Sequence, residues 1–134
     1  MKDILVVDDD KMMLGLFKRI LEREGHGVYC VSSGEEALEQ IMERTYSLMI
    51  TDFNMPGLNG LELSRKGLEI APQMPIIMDT GGNSPNFTRQ AMEIGISKVL
   101  TKPFHTQELL ETIREVMDNN GVRPDGATVF LSHC

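Results

Sequence analysis

Short apolar runs alternate along the chain with stretches of helical periodicity, and four of these runs end in charged or hydroxyl side chains. The polar side chains that close them are Asp8-Asp9, Asp52, Thr80 and Lys102. Such alternation predicts an α/β fold in which helices wrap a parallel sheet. The carboxyl ends of parallel strands meet at one edge of the sheet, where ligands bind. We therefore expect these side chains to converge on one site.

Start and stop signals divide the chain into five β-α units. Ser33 and Glu36 have capping-box spacing, Ser84-Pro85 combines an N-cap with a proline at the first helical position, and Gly95 ends the helix that follows. Because connections in βαβ units are right-handed, helices should cover both faces of the sheet. The predicted strands cover 4–7, 28–31, 48–52, 75–80 and 97–101, and the predicted helices begin at residues 11, 34, 61, 85 and 106.

The length of 134 residues fits one domain, predicted to span 1–121, followed by a mobile tail at 122–134. The net charge of −7, with no Lys or Arg cluster, argues against direct nucleic-acid binding. No signal peptide or membrane span is visible. Cys30 and Cys134 match no metal or redox motif, so we interpret both as free thiols of a cytoplasmic protein.

The carboxylates at the strand ends have the chemistry of a divalent-cation site. Mg²⁺ prefers oxygen ligands, commonly one or two carboxylates together with a phosphate oxygen. Asp9 and Asp52 are the predicted direct ligands, and Asp8 is predicted to act directly or through water. A backbone carbonyl such as that of Asn54 would complete the site, and Mn²⁺ is the alternative ion. Without a cation, the neighbouring carboxylates would repel one another and some of their pKa values would rise.

The same edge also offers a nucleophile and donors for a phosphoryl group. Asp52 ends a strand, and carboxylates of this kind form aspartyl-phosphates. Phosphoryl transfer needs positioning and neutralisation of three equatorial oxygens. Besides the cation, Lys102 would bind one oxygen, and the Thr80 hydroxyl with a backbone N–H of Gly81 would bind another.

Each of these signals has an ordinary structural explanation when it is taken alone. A triple Asp after a strand is about as often a solvated loop as a site, a single Asp can be a helix N-cap, and Lys-Pro pairs are common in loops. Their joint occurrence at the strand ends of a fivefold β-α pattern favours the functional interpretation.

Together, the motifs are those of a known family. They are the acid pair Asp8-Asp9, the motif Asp-x-x-Met-Pro-x-x-x-Gly from Asp52 to Gly60, the pair Thr80-Gly81, and Lys102-Pro103-Phe104. Over residues 2–120 the chain resembles a bacterial response-regulator receiver domain. The resemblance implies a flavodoxin-like, doubly wound, five-stranded parallel sheet of order 2-1-3-4-5 with five helices. It also implies a cis Lys102–Pro103 bond.

The resemblance further implies a phosphoacceptor switch. Asp52 would take a phosphoryl group from a histidine kinase or a histidine phosphotransfer protein, with Mg²⁺ required. A downstream protein would bind the face formed by helix 4, strand 5 and helix 5. Apart from self-phosphorylation from a donor and autodephosphorylation, no enzymatic activity is expected. The Thr-Gly-Gly at 80–82 also resembles receivers attached to hybrid kinases, so the chain as one domain of a longer protein stays an alternative.

Two residues depart from the family pattern. Val99 stands where many receivers have the aromatic residue that moves together with the switch residue, here Thr80. We therefore expect a backbone shift in place of a ring rotation. Asp79 stands where an apolar residue is usual, and strand alternation directs it away from the side of Thr80. Its carboxylate is expected to find a hydrogen-bond partner under the following loop or to reach solvent.

Two other functions compete with the switch. A pseudo-receiver would be an interaction module that never takes phosphate, yet such modules usually lack an acid or the Lys. A metal-dependent phosphohydrolase would need a general acid two residues after its nucleophile, where this chain has Asn54.

Overall fold

The computed structural model describes residues 3–118, so the predicted tail at 122–134, including Cys134, lies outside the described residues. Strands and helices alternate along this part of the chain. The strands are β1 (Asp3–Val7), β2 (Gly27–Val31), β3 (Leu48–Asp52), β4 (Ile76–Thr80) and β5 (Lys98–Thr101). The helices are α1 (Lys11–Arg23), α2 (Gly34–Glu43), α3 (Gly60–Ile70), α4 (Pro85–Ile94) and α5 (Thr106–Asp118).

The five strands form one parallel sheet of order β2-β1-β3-β4-β5, which confirms the predicted topology. Strand alternation divides the core into two layers. One layer packs β1, β3 and β4 against Phe17 and Leu21 of α1 and against Leu109 and Ile113 of α5. The other layer packs the opposite face of the sheet against α2, α3 and α4. Within residues 3–118, no helix is long and apolar enough to cross a bilayer.

Helix capping follows the sequence signals with two differences. Ser84 caps α4 by accepting a hydrogen bond from the Phe87 N–H, and Gly95 ends this helix at φ 115°. At α2, Ser33 caps as predicted, but the Glu36 carboxylate accepts from the Ser32 N–H, one residue before the N-cap. The complete capping box lies at α3, at an Asn-x-x-Glu signal that is not among the caps predicted above. It joins Asn59 and Glu62.

The glycine that starts α3 is required by close packing under the end of β3. A Cβ added at Gly60 would lie 2.6 Å from the Asp52 carbonyl oxygen, 2.9 Å from the Met78 sulfur and 2.9 Å from the Phe53 Cα. Two of these atoms belong to the backbone, so moving them to accommodate a Cβ would be energetically unfavourable. The last glycine of the Asp-x-x-Met-Pro-x-x-x-Gly motif thus lets α3 begin directly against the residue that carries the candidate carboxylate.

Gly60→Ala should lower the free energy of unfolding by about 1–3 kcal/mol, because the added methyl overpacks a site bounded by backbone. Gly15→Ala is the matched control, since a Cβ at this exposed position in α1 meets no atom within 4 Å. That change should stabilise the protein by roughly 0.5–1 kcal/mol through helix propensity. Urea unfolding followed by circular dichroism would measure both. Equal effects of the two substitutions would contradict the packing argument.

Candidate functional site

Three carboxylates meet at the carboxyl edge of the central strands. Asp52 is the last residue of β3, and Asp8 directly follows β1, whose Val7 pairs with Thr51. Asp8, Asp9 and Asp52 each offer an oxygen, and these oxygens lie within 4.8 Å of one another. Asp8 and Asp52 are buried while Asp9 is exposed, so the group opens to solvent on one side.

The buried Asp8 carboxylate is only half satisfied by the protein. Its Oδ1 accepts a hydrogen bond of 2.9 Å from the Asp10 N–H, whereas its Oδ2 has no hydrogen-bond partner among the described residues. Burial raises the pKa of Asp8 to about 6, and the negative charge of Asp52 adds to this rise. A buried carboxylate oxygen without a donor, next to two further carboxylates, fits a hard divalent cation.

Lys102 brings a positive charge to Asp52 from across the sheet. The backbone of Lys102 continues the pairing of β4 with β5, because the Lys102 N–H donates to the Thr80 carbonyl at 2.8 Å. The Lys102–Pro103 bond is cis, as the resemblance implied. The Lys102 Nζ donates to the Asp52 Oδ1 at 3.1 Å. Partial burial lowers the pKa of Lys102, but the charges of Asp79 and Asp52 outweigh burial and raise it.

The predicted phosphate-binding and switch residues lie at the ends of β4 and β5. Thr80 is buried, and its hydroxyl accepts a hydrogen bond of 3.2 Å from the Gly82 N–H. Gly81 is exposed, and its Cβ position meets no atom within 4 Å, so the backbone there is open. Val99 is half-buried and packs against the core layer of α2, α3 and α4. Asn54 lies exposed in the loop after β3.

Asp79 is a fourth carboxylate of the site, although it was not among the site residues predicted from the sequence. The alternative that its carboxylate reaches solvent is wrong, since the residue is 1% exposed. Neither of its side-chain oxygens has a hydrogen-bond partner among residues 3–118, so the predicted bond under the following loop is also not formed. Its Oδ2 instead lies 3.7 Å from the Lys102 Nζ.

Burial raises the pKa of Asp79 to about 7; Lys102 opposes this rise, and the charges of Asp52 and Asp8 add to it. The sequence did contain a signal for this position. Asp52 is the last residue of β3 and Asp79 the last but one of β4, and each lies two residues after an apolar residue of the same core layer, Ile50 or Ile77, so strand alternation directs both carboxylates to one face.

Comparison with known proteins places the chain among signalling domains. A family model described as "Response regulator receiver domain" matches residues 4–114. The receiver protein CpdR of Brucella abortus is 34% identical over 117 residues, which cover 87% of this chain and 98% of CpdR. The uncharacterized transcriptional regulatory protein YkoG of Bacillus subtilis is 34% identical over 97% of this chain, which spans only 57% of YkoG.

A solved structure shows the same architecture. The CheY-like response regulator receiver domain protein of Methanospirillum hungatei is 34% identical, and the match covers 90% of this chain and 96% of that one. Its TM-score of 0.85 agrees with the five-stranded, doubly wound sheet described above.

Asp9→Asn should weaken Mg²⁺ binding at least about tenfold, because losing even an outer-shell partner of a metal ligand weakens metal sites by about 10- to 100-fold. Asp9 is exposed, and the side-chain hydrogen bonds of its loop are accepted by the carboxylates of Asp8 and Asp10, so the fold should be unaffected. Binding is measured from the rise in melting temperature with added Mg²⁺.

The matched control for this titration is Asp10→Asn. It removes the same charge from the same loop, but Asp10 caps α1 by accepting from the Met12 N–H, and Asn caps a helix equally well. Mg²⁺ affinity should therefore stay close to that of the unchanged protein. If both variants lost affinity to the same degree, general charge and not ligation by Asp9 would explain the binding.

The buried acids should also make stability depend on pH when divalent cations are removed with EDTA. Asp8 and Asp79 have folded-state pKa values of about 6 and about 7 against a reference of 3.8. The folded state therefore holds protons that the unfolded state has lost, and stability falls as pH rises from about 4 to about 7. Asp79→Asn should reduce this pH-dependent loss in the free energy of unfolding by about 2 kcal/mol. Urea unfolding from pH 4.5 to pH 8 measures it, and an unchanged slope in Asp79→Asn would contradict the assignment.

Proposed function

The chain belongs to the response regulator receiver family, which acts in phosphoacceptor signalling of two-component systems, and on that premise we propose that Asp52 is its phosphoacceptor. One observation carries the proposal: the Asp52 carboxylate lies 3.1 Å from the Lys102 ammonium and within 4.8 Å of the Asp8 and Asp9 oxygens. The nucleophilic Asp52 carboxylate thus lies between the Lys102 ammonium and the carboxylates of Asp8 and Asp9, which would bind a cation.

In the proposed reaction, an ionised Asp52 oxygen attacks phosphorus and forms a new O–P bond. The P–N bond of a phosphohistidine breaks, and its electron pair returns to the imidazole ring, which takes up a proton. The donor histidine belongs to a histidine kinase or a histidine phosphotransfer protein. In autodephosphorylation, a water oxygen attacks the same phosphorus and the O–P bond to Asp52 breaks, with its electron pair returning to the carboxylate. The water proton passes to solvent, and inorganic phosphate leaves. We propose no other enzymatic activity.

Asp8, Asp9 and Asp52 would hold Mg²⁺, together with the Asn54 carbonyl, and Mn²⁺ is an alternative ion. The bound ion supplies positive charge for the phosphoryl oxygens, which concentrate charge during transfer. The unpartnered Asp8 oxygen supports this assignment, because ligation would satisfy it. Lys102 already lies at hydrogen-bond distance from Asp52, where it would neutralise a second oxygen.

Thr80 and the Gly81 N–H would bind the remaining phosphoryl oxygen and start the conformational response. The Thr80 hydroxyl accepts a hydrogen bond from the Gly82 N–H, and in the proposed response its own O–H would donate to a phosphoryl oxygen. Val99 packs against the core and carries no ring that could turn. The response would therefore pass through the backbone of the β4–α4 segment to the face of α4, β5 and α5, where a downstream protein would bind. These steps suit a cytoplasmic protein that does not bind nucleic acid directly.

Incubation with acetyl phosphate and Mg²⁺, followed by intact-mass spectrometry, tests the proposal. We expect one phosphoryl adduct per chain, lost in Asp52→Asn and lost with EDTA. Asp10→Asn is the control for removing one carboxylate near the site, and it should still form the adduct.

The same experiment decides between the phosphoacceptor and the alternative of a pseudo-receiver. No adduct with acetyl phosphate, and no complex with the phosphoryl mimic beryllofluoride, would mean that the chain is an interaction module that does not take phosphate. An adduct that persists in Asp52→Asn would place the phosphoacceptor on another residue.

A further inference from the structure

We propose that Asp79 is a positioning residue that shares the Lys102 ammonium with Asp52 and so limits how fully Lys102 can engage a phosphoryl group on Asp52. The inference rests on the proposed phosphoacceptor function of Asp52. It assigns a role to the acid that stands where an apolar residue is usual in receivers.

The register of the sheet places Asp79 beside both other groups. Asp52 and Asp79 are direct partners across β3 and β4, and Asp79 pairs with Leu100 of β5. Ile50, Ile77 and Leu100 all belong to the core layer of α1 and α5. Because side chains alternate along a strand, Asp52 and Asp79 extend towards that same side, two residues beyond Ile50 and Ile77. Lys102 directly follows β5, and its Nζ reaches both carboxylates.

Lys102 is the cation that compensates the Asp79 carboxylate among the described residues. The Asp79 side chain is 1% exposed, and neither of its oxygens accepts a hydrogen bond there. A buried charge without donors is costly, so the nearby ammonium is held towards it. The Nζ lies 3.1 Å from Asp52 and 3.7 Å from Asp79, a position between the two carboxylates that favours Asp52.

This sharing has a direct consequence for a phosphorylated Asp52. A phosphoryl group on Asp52 would extend towards the solvent-open side of the site at Asp9, whereas Asp79 is buried, so an ammonium that moves to bind the phosphoryl oxygens moves away from Asp79. The buried Asp79 carboxylate then loses its compensating charge. Asp79 therefore opposes full engagement of Lys102, and a neutral residue at this position removes the opposition.

The sharing itself is tested by the reactivity of Lys102 towards an N-hydroxysuccinimide acetate, read by peptide mass spectrometry. Asp79→Asn has the same shape and should raise the rate of Lys102 acetylation about two- to fivefold, since the ammonium loses one of two ion-pair partners. Lys98, which pairs with Glu115 at 3.3 Å, is the internal standard and should not change. Asp79→Val is the second variant, for the case that buried Asn disturbs folding.

Asp3→Asn is the matched control for the labelling experiment. Asp3 pairs with Arg44 at 2.9 Å near the amino end of β1, so the substitution removes one acid of an ion pair at the opposite edge of the sheet. Lys102 acetylation should be unchanged in it. An unchanged Lys102 rate in both Asp79 variants would overturn the proposal, as would an equal rise in Asp3→Asn.

The functional consequence is tested by a double-mutant cycle on beryllofluoride binding in Mg²⁺, followed by ¹⁹F nuclear magnetic resonance. Asp79→Asn should tighten binding about two- to fivefold when Lys102 is present. In the Lys102→Ala background the same substitution should have no effect, because Asp79 acts through the ammonium. An equal gain in both backgrounds would show direct repulsion or a structural effect and would overturn the proposal.

The two readouts separate this inference from the proposed function. If the unchanged protein formed neither a phosphoryl adduct nor a beryllofluoride complex, the phosphoacceptor function would fail. Lys102 acetylation would still decide whether Asp79 shares the ammonium. If Lys102→Ala bound no beryllofluoride at all, the acetylation rates alone would support or overturn the contact.

Discussion

The contact of one lysine with two buried carboxylates is the interaction on which the site depends. Asp8, Asp52 and Asp79 are all at least nine-tenths buried at one edge of the sheet, and Lys102 ion-pairs with two of them. Burying charges without compensation is unfavourable by several kcal/mol per ion in order of magnitude.

Three responses are available to such a group of buried charges, namely protonation, approach of a lysine, and binding of an external cation. The raised pKa values of Asp8 and Asp79 favour the first, and the contacts of Lys102 with Asp52 and Asp79 show the second. The third is the one that a signalling site can control from solution.

The sheet keeps these acids together because its core leaves them no freedom to separate. Strands β3 and β4 are buried along their whole length, and their apolar side chains fill both core layers. Moving Asp52 away from Asp79 would break the β3–β4 register that also pairs Ile50 with Ile77. Gly60 adds to the constraint, since it lets α3 start against the Asp52 carbonyl. Hydrophobic packing thus holds like charges close to one another, and the resulting strain is electrostatic and local to the edge where ligands bind.

Most of the fold could be predicted from the sequence because its signals are local. Apolar runs located the five strands, and the Ser84-Pro85 cap and Gly95 bounded α4. The meeting of Asp8, Asp9 and Asp52 followed from the geometry of parallel sheets alone. The role of Asp79 could not be reached in this way, because its contact with Lys102 depends on the register of β4 against two neighbours and on the length of a lysine side chain. The capping box of Asn59 and Glu62 is different, because its Asn-x-x-Glu signal is local and indicates the start of α3 by the same rule as Ser33 and Glu36 at α2.

The position of Asp79 next to Thr80 matters for how a phosphoryl group would be sensed. The two residues are adjacent on β4, so their side chains lie on opposite faces of the sheet, Asp79 towards Lys102 and Thr80 towards the layer of α2, α3 and α4. The backbone between them is tied to both neighbours, because the Asp79 carbonyl accepts from the Phe53 N–H and the Thr80 carbonyl accepts from the Lys102 N–H. A movement of Thr80 towards a phosphoryl group would therefore act on the same short segment that holds Asp79 against Lys102. Under the proposed function, and because Val99 has no ring to turn, this segment would couple the charge at Asp52 to the shape of the α4 side of the molecule.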